Sequence, residues 1–388
     1  MTIQTPKRIS VALFAALLSF GASAADVSIY GKVNTALYWQ DWSGANPSFS
    51  MINEGSRFGF NIREELTNDL SVKGYLENGF NSDDGGLTNT SGGNTGSTLF
   101  DRRAILALHS KTWGEIGFGR MGSVRSTMAP YALTLAWLDP METNYGEAGM
   151  SYMFGNDPRA NNTVTYVSPD MAGFKFGLSY SFSFTDQEAD QTRKNNRMLA
   201  FGASYVRGTF GIHAGATQLW YGRDNETPAA NLADKGKLYD REDAQAYTLG
   251  ATWRATPELK LFVATQYQAD WRSVAGWNAD KDSTHETAYS TDDKRHGIDG
   301  WSNLVGLQYS FTENTRLLAK YVYFTGEHEM ADGDDVKGKR HAFNTGLEQK
   351  LSKRTKLYAV LSYFKGEDEL DIDSLTGFTG QFGMEHNF

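Results

Sequence analysis

The sequence predicts an all-β protein, a single antiparallel transmembrane β-barrel of sixteen strands with one long connection folded into its lumen. Three observations predict it. The closing segment, Thr376 to Phe388, alternates in polarity: Phe378, Phe382, Met384, His386 and Phe388 share one parity, and Thr379, Gln381, Gly383, Glu385 and Asn387 the other. Similar runs recur along the chain, joined by connections that are alternately brief and long. An export leader precedes a chain with no segment of about twenty uninterrupted apolar residues, the length a helix needs to cross a bilayer. Hydrocarbon offers no hydrogen-bond partners, so a spanning sheet must close on itself and turn every second side chain to lipid.

The leader is read from Lys7 and Arg8, the apolar run Ile9 to Phe20, and the small residues Ala22, Ser23 and Ala24. This order marks residues 1–24 as a secretory signal peptide cut after Ala24, leaving residues 25–388 as one barrel domain. Mean hydropathy is -0.48, which suits a barrel because only one parity of each strand meets lipid. The chain has no Cys, so an exported protein of this length is not built on a disulfide framework. Forty Gly, nineteen Tyr and only eight Pro suit many strands joined by tight turns. A formal net charge of -9, more negative once Lys7 and Arg8 are removed, argues against a nucleic-acid partner.

In chain order, period-two alternation predicts strands at Asp26 to Trp42, Ser56 to Leu66, Asp69 to Phe80, Leu99 to Ser110, Gly114 to Met121, Arg159 to Ser168, Gly173 to Phe184 and Arg197 to Arg207. The second half continues with Phe210 to Trp220, Ala244 to Ala255, Glu258 to Trp271, Trp301 to Thr312, Thr315 to Gly326, Lys339 to Leu351, Thr355 to Gly366 and Thr376 to Phe388. An even count fits a single-chain bacterial barrel. The seventh run is the sharpest, with Phe174, Phe176, Leu178, Tyr180, Phe182 and Phe184 against Lys175, Gly177, Ser179, Ser181 and Ser183. Brief turns such as Thr67-Asn68 and Thr256-Pro257 mark the periplasmic end, and long polar stretches such as Tyr221 to Asp243 mark the extracellular end. Trp39, Trp220, Trp253, Trp271 and Trp301 fall near strand ends, where interfacial girdles sit.

Residues 122–158 break the pattern. A solvated external loop would not carry the apolar run Pro130 to Pro140 followed by Glu142 and Glu147. The segment is therefore expected to fold into the lumen, apolar side on the wall and acids at a constriction. Parity places Tyr30, Lys32 and Asn34 inside because Ile29, Val33 and Leu37 face out, and it does the same for Arg57, Asn61 and Arg63 and for Arg159, Asn161 and Thr163. Arg102 and Arg103 are adjacent, so on one strand only one of them can face the lumen.

Several strings then coincide with one family. Ile29 to Lys32 (IYGK), Ser56 to Phe60 (SRFGF) with Glu64-Glu65-Leu66, Phe118 to Arg120 (FGR), Arg159 to Tyr166 (RANNTVTY) with Ser168-Pro169, Leu351 to Thr355 (LSKRT) with Tyr358, and Gly383 to Phe388 (GMEHNF) stand in order along the mature chain. On these strings the chain resembles the trimeric general porins of Gram-negative outer membranes. The resemblance implies a homotrimer whose third extracellular loop narrows each pore. It also implies a basic ladder of Lys32, Arg57, Arg102 and Arg159 with Arg120 nearby, facing acids at Asp139 and Glu142, with Glu147 as a rival because the loop here is longer. It further implies Phe388 as a terminal aromatic read by the barrel-assembly machinery.

The expected function is passive diffusion of small hydrophilic solutes and ions through a water-filled channel in the cell outer membrane, among lipopolysaccharide and outer-membrane lipid. Opposed charges across a narrow pore orient water and dipolar solutes. Catalysis is not expected: His109, His213, His341 and His386 are scattered among strands without a nucleophile string, and no cofactor or metal is called for. The acidic runs Asp332 to Asp335 and Glu367 to Asp373 lack the ligand order of a calcium loop and read as solvated surface. A substrate-selective channel, or a plugged barrel acting as an adhesin or an outer-membrane enzyme, is the alternative. Anion against cation preference is left open, because Glu77 and the loop acids oppose the basic wall.

Overall fold

A computed structural model describes residues 25–388 except 89–97, 143–144, 146–148, 186–187, 189–191, 223–240, 280–295, 330–334 and 372–374. The leader, Glu147 and Asp332 to Asp334 therefore lie outside the described residues. The strands are β1 (Asp26–Trp42), β2 (Ser48–Asn53), β3 (Arg57–Glu65), β4 (Leu70–Gly79), β5 (Arg103–Ser110), β6 (Gly114–Gly122), β7 (Arg159–Val167), β8 (Phe174–Ser181), β9 (Arg197–Arg207), β10 (Phe210–Trp220), β11 (Gln245–Arg254) and β12 (Leu259–Trp271). They continue as β13 (Ser273–Val274), β14 (Trp277–Asn278), β15 (Ile298–Ser310), β16 (Thr315–Glu329), β17 (Asp335–Lys350), β18 (Thr355–Asp368) and β19 (Gly377–Asn387). Among its described residues the long connection after β6 carries two short helices, α1 (Leu135–Leu138) and α2 (Met150–Met153).

Every neighbouring pair in the main sheet is antiparallel, and β1 pairs with β19, which closes the barrel. The closure runs to the last residue: Phe388 N donates to Gly31 O and Gly31 N donates to Phe388 O, both at 3.0 Å. A Cβ on Gly31 would overlap the Phe388 ring, so the small residue is what lets the terminal aromatic lie across the seam.

Among the described residues the main sheet holds seventeen strands, yet β2 and β3 follow one another along β1 as a single interrupted stave, with Asn53 opposite Thr35 and Arg57 opposite Lys32. Sixteen staves result. The second stave therefore starts at Ser48 and not at Ser56. Between its halves Gly55 has φ of +73°, and Ser56 Oγ takes over the ladder by accepting from Asn34 N at 2.9 Å.

Outward parity is apolar as lipid requires: Ile29, Leu37, Leu178, Phe182, Leu249, Phe378, Phe382 and Met384 are exposed, while Asn34, Ser179, Ser181, Thr248, Thr379 and Glu385 are buried inside. One girdle expectation fails. Trp253 and Trp301 point outward, but Trp271 is buried in the lumen. A register shift between Gln268 and Trp271, with Asp270 at φ +51°, inverts the alternation at the end of β12.

The lumen is not evenly filled. Leu135 and Leu138 of α1, Met150 and Met153 of α2, and Phe154 form one buried cluster with inward residues of β9 to β18, among them Ala246, Phe262, Leu304, Val322 and Phe324. The hairpin β13–β14 caps it: Ala275 N donates to Tyr152 O at 2.9 Å, and Arg340 Nη1 donates to Ala275 O at 2.9 Å. At about 1.5–3 kcal/mol per buried large apolar side chain, this dry packing holds the inner segment without a covalent tie.

Candidate functional site

The segment 122–158 enters and leaves the lumen through one buried clamp. Arg125 and Asp157 form an ion pair in which neither side chain is exposed. The remaining guanidinium protons go to Thr217 Oγ1 at 2.7 Å, Thr248 Oγ1 at 3.2 Å, Gln266 Oε1 at 3.1 Å and Gly155 O at 2.9 Å. Ser123 and Thr217 hydroxyls donate to the second Asp157 oxygen. Buried charges are tolerated when paired and fully hydrogen-bonded, and this pair meets that condition across β10, β11 and β12.

Three more ties follow along the segment. Tyr131 Oη donates to Glu115 at 2.8 Å, and Tyr145 Oη donates to Glu348 at 2.6 Å. Burial, then the neighbouring carboxylate charge, pushes both phenols well above their usual range. Asp139 pairs with Lys320 at 3.0 Å with both side chains enclosed, and its oxygens also accept from the backbone N–H groups of Met141 and Met150.

Opposite the packed half lies an open cavity of about 640 Å³. One wall presents Arg57, Arg102, Arg103 and Arg159 from β3, β5 and β7 and the residue preceding β5. Glu77 of β4 sits among them, 3.6 Å from Arg57 and 2.7 Å from Arg102, and also pairs with Arg103. Tyr30 Oη donates to the same carboxylate at 2.9 Å. The facing wall comes from the inner segment and includes Met128, Pro130, Trp137 and Glu142. Glu142 pairs with Arg316 at 2.8 Å.

The residues singled out from sequence separate accordingly. Arg57, Arg102, Arg159 and Glu142 line the cavity. Lys32 faces inward but is enclosed, its ammonium 3.1 Å from Glu385. Arg120 sits at the bulge between Gly119 and Met121 and is spent on Asp101 O at 2.6 Å and Asn161 Oδ1 at 2.7 Å, so it braces the wall. Asp139 is corrected from a pore acid to a buried attachment point, because Lys320 reaches it from β16. Glu147 lies outside the described residues.

The choice between Arg102 and Arg103 dissolves, since both reach Glu77. Pairing starts only at Arg103, after Phe100 at φ +64°, so Arg102 lies outside the strand and escapes the alternation. Sequence reasoning missed Arg316, Lys320 and Lys356, although their parity was countable: Arg316, Leu318 and Lys320 alternate with outward Leu317, Ala319 and Tyr321. Arg125 and Asp157 carried no such signal, because they lie outside any strand.

A family model described as Gram-negative porin matches residues 10–369. An outer membrane porin protein of Bordetella pertussis is 33% identical over 237 residues, 53% of this chain and 58% of that protein, so the match spans less than two thirds of this relative's length. Among solved structures, the anion-selective porin from Comamonas acidovorans superposes with a TM-score of 0.62 at 20% identity, covering 94% of this chain and 100% of its own. The trimer form of OmpT, an outer membrane protein of Vibrio cholerae, gives 0.60 at 17% identity, covering 94% and 100%. At these identities the superpositions speak for the fold.

Proposed function

The chain belongs to the Gram-negative porin family, a multi-strand barrel of the outer membrane, and from that premise we propose that it forms a water-filled channel for passive diffusion of small hydrophilic solutes, with a preference for anions. The observation that carries the proposal is the open cavity between a wall of four arginines and the inner segment. Four arginines line the cavity against three glutamates, Glu54, Glu77 and Glu142, and Arg316 is paired with the last, so the described charge there is positive on balance. Such a field raises the local concentration of anions and orders water against apolar solutes. The anion selectivity named for the Comamonas acidovorans porin supports this reading.

The same proposal includes a homotrimer, for which the trimer form of OmpT is the structural support, contact with lipopolysaccharide and outer-membrane lipid, and recognition of Phe388 by the barrel-assembly machinery. It also keeps residues 1–24 as the cleaved leader and residues 122–158 as the constriction segment of one barrel domain.

Planar-bilayer recording of the detergent-purified protein under a salt gradient tests the channel. Stepwise openings in threes with a reversal potential of the anion sign are expected. A cation sign overturns the preference, and silence from a folded barrel overturns the channel. Deleting Phe388 is expected to lower outer-membrane yield; normal yield removes the assembly role.

A further inference from the structure

Resting on the channel reading, one feature of the cavity goes beyond charge. The expected acids do not dominate the face opposite the arginines: Asp139 is enclosed with Lys320, and Glu142 is held by Arg316. What the inner segment shows to the cavity among its described residues is largely apolar, with Met128, Pro130, Ala132, Ala136 and Trp137. Trp137 is 54% exposed in a chain whose other inner-segment apolar side chains are mostly buried. Its indole N–H is spent on Ala132 O at 3.1 Å, and one ring face stacks on His213 at an interplanar angle of 4°. The opposite face is therefore the open one.

Across the cavity, Arg159 makes no side-chain hydrogen bond or ion pair among the described residues, unlike the three arginines that share Glu77. Glu77 and Asp101 act on its guanidinium through space without a direct hydrogen bond, so it can meet a carboxylate bidentately with no ion pair to break. A solute that satisfies both walls carries a carboxylate at one end and a flat apolar ring at the other. The ring would lie on Trp137 in offset or edge contact, the geometry that aromatic quadrupoles favour. The volume is within the range of small-molecule sites, about 300–1,000 Å³.

We propose that the cavity between Arg159 and Trp137 is a selectivity site for aromatic monocarboxylates, which it retains in preference to aliphatic anions of equal charge. Such a site slows each ring-bearing anion briefly during passage and so favours its uptake from dilute solution.

The test uses the full-length protein in planar bilayers in potassium chloride, with sodium benzoate and sodium acetate added separately. Benzoate is expected to give resolved current interruptions with an apparent affinity about fivefold to tenfold above that of acetate, the ratio that a ring contact of about 1–1.4 kcal/mol supplies. Trp137→Ala is expected to bring the ratio near one, Trp137→Phe to keep most of it, and Arg159→Gln to weaken both anions together. Benzoate and acetate acting alike in a conducting channel overturns the proposal and leaves the channel reading standing. If the barrel does not conduct, the channel reading falls, and calorimetric titration of benzoate into detergent-solubilised protein decides the site. Heat that is lost in Trp137→Ala supports it, and equal heat in both proteins, or none in either, overturns it.

Discussion

The two halves of the lumen are built from the same alternating strands and end in opposite conditions. Along β3 to β7 the inward parity carries Arg57, Glu77, Arg103 and Arg159, and the space they border is left open. Along β9 to β12 the inward parity includes a run of small residues where the inner segment comes closest: Ala200, Gly202, Gly215, Ala246, Gly250 and Ala264. A Cβ at Gly202 would come within 2.7 Å of Val124 O, one at Gly215 within 2.8 Å of Arg125 Cγ, and one at Gly250 within 2.6 Å of Leu138. Those small residues are the mould into which the inner segment is pressed. A β-barrel thus sets its bore by the size of its inward residues on one arc as much as by the charge on the other.

The packed half depends most on the clamp. Arg125→Ala strands Asp157 without its buried partner, and about 3–5 kcal/mol of stability should go with it. The temperature of the heat-induced mobility shift on gels should fall, and open-channel current should become noisy as the segment loosens. Unchanged noise and shift temperature would mean that the apolar packing alone holds the segment. Leu138→Ala attacks that packing directly; it empties a fully buried site against β11 and should cost about 2–5 kcal/mol, read by the same gel shift.

A substitution next to the packed face but on the other parity sharpens the contrast. Leu249→Lys puts a cation on the lipid side of β11, with an expected cost of about 2–4 kcal/mol and reduced membrane-inserted yield, while the inner packing stays as it was. Smaller still is Tyr145→Phe, which removes one hydrogen bond to Glu348, worth about 1 kcal/mol. Because the folded chain holds the Tyr145 proton more tightly than the unfolded chain, this contribution is complete below about pH 10 and declines as pH rises beyond it. Tyr145→Phe should therefore flatten the alkaline slope in denaturant titrations, and an unchanged slope would show the tie to be unimportant. On the wet side, Arg159→Gln strands no partner. Stability should move by no more than about 0.5 kcal/mol while the reversal potential shifts toward cations.

Most of the architecture was legible in the chain. Alternation is local, so the sixteen staves, the closure at Phe388 and the lipid face could be counted from residue types. The errors fell where the alternation is interrupted: at Gly55, which hides the first half of the second stave; at Phe100, which frees Arg102 from the parity rule; and at Asp270, which turns Trp271 inward. Positive φ at a non-glycine residue leaves no compositional mark, so the breaks at Phe100 and Asp270 were invisible in the sequence.

Residue order alone specifies a barrel, the side chains that meet lipid, the inward placement of Lys32, Arg57 and Arg159, and an inner segment, residues 122–158, too apolar to be a solvated loop. What that segment touches follows from the closed sheet around it. Asp139 meets Lys320 from 181 positions away, and Arg125 meets Gln266 from 141. Pairings at such separations depend on how the closed sheet brings its far arc around, and no local periodicity encodes them. For that reason the acids that read as pore-lining in the chain became in part the fastenings of the wall, and the open face was left to Trp137.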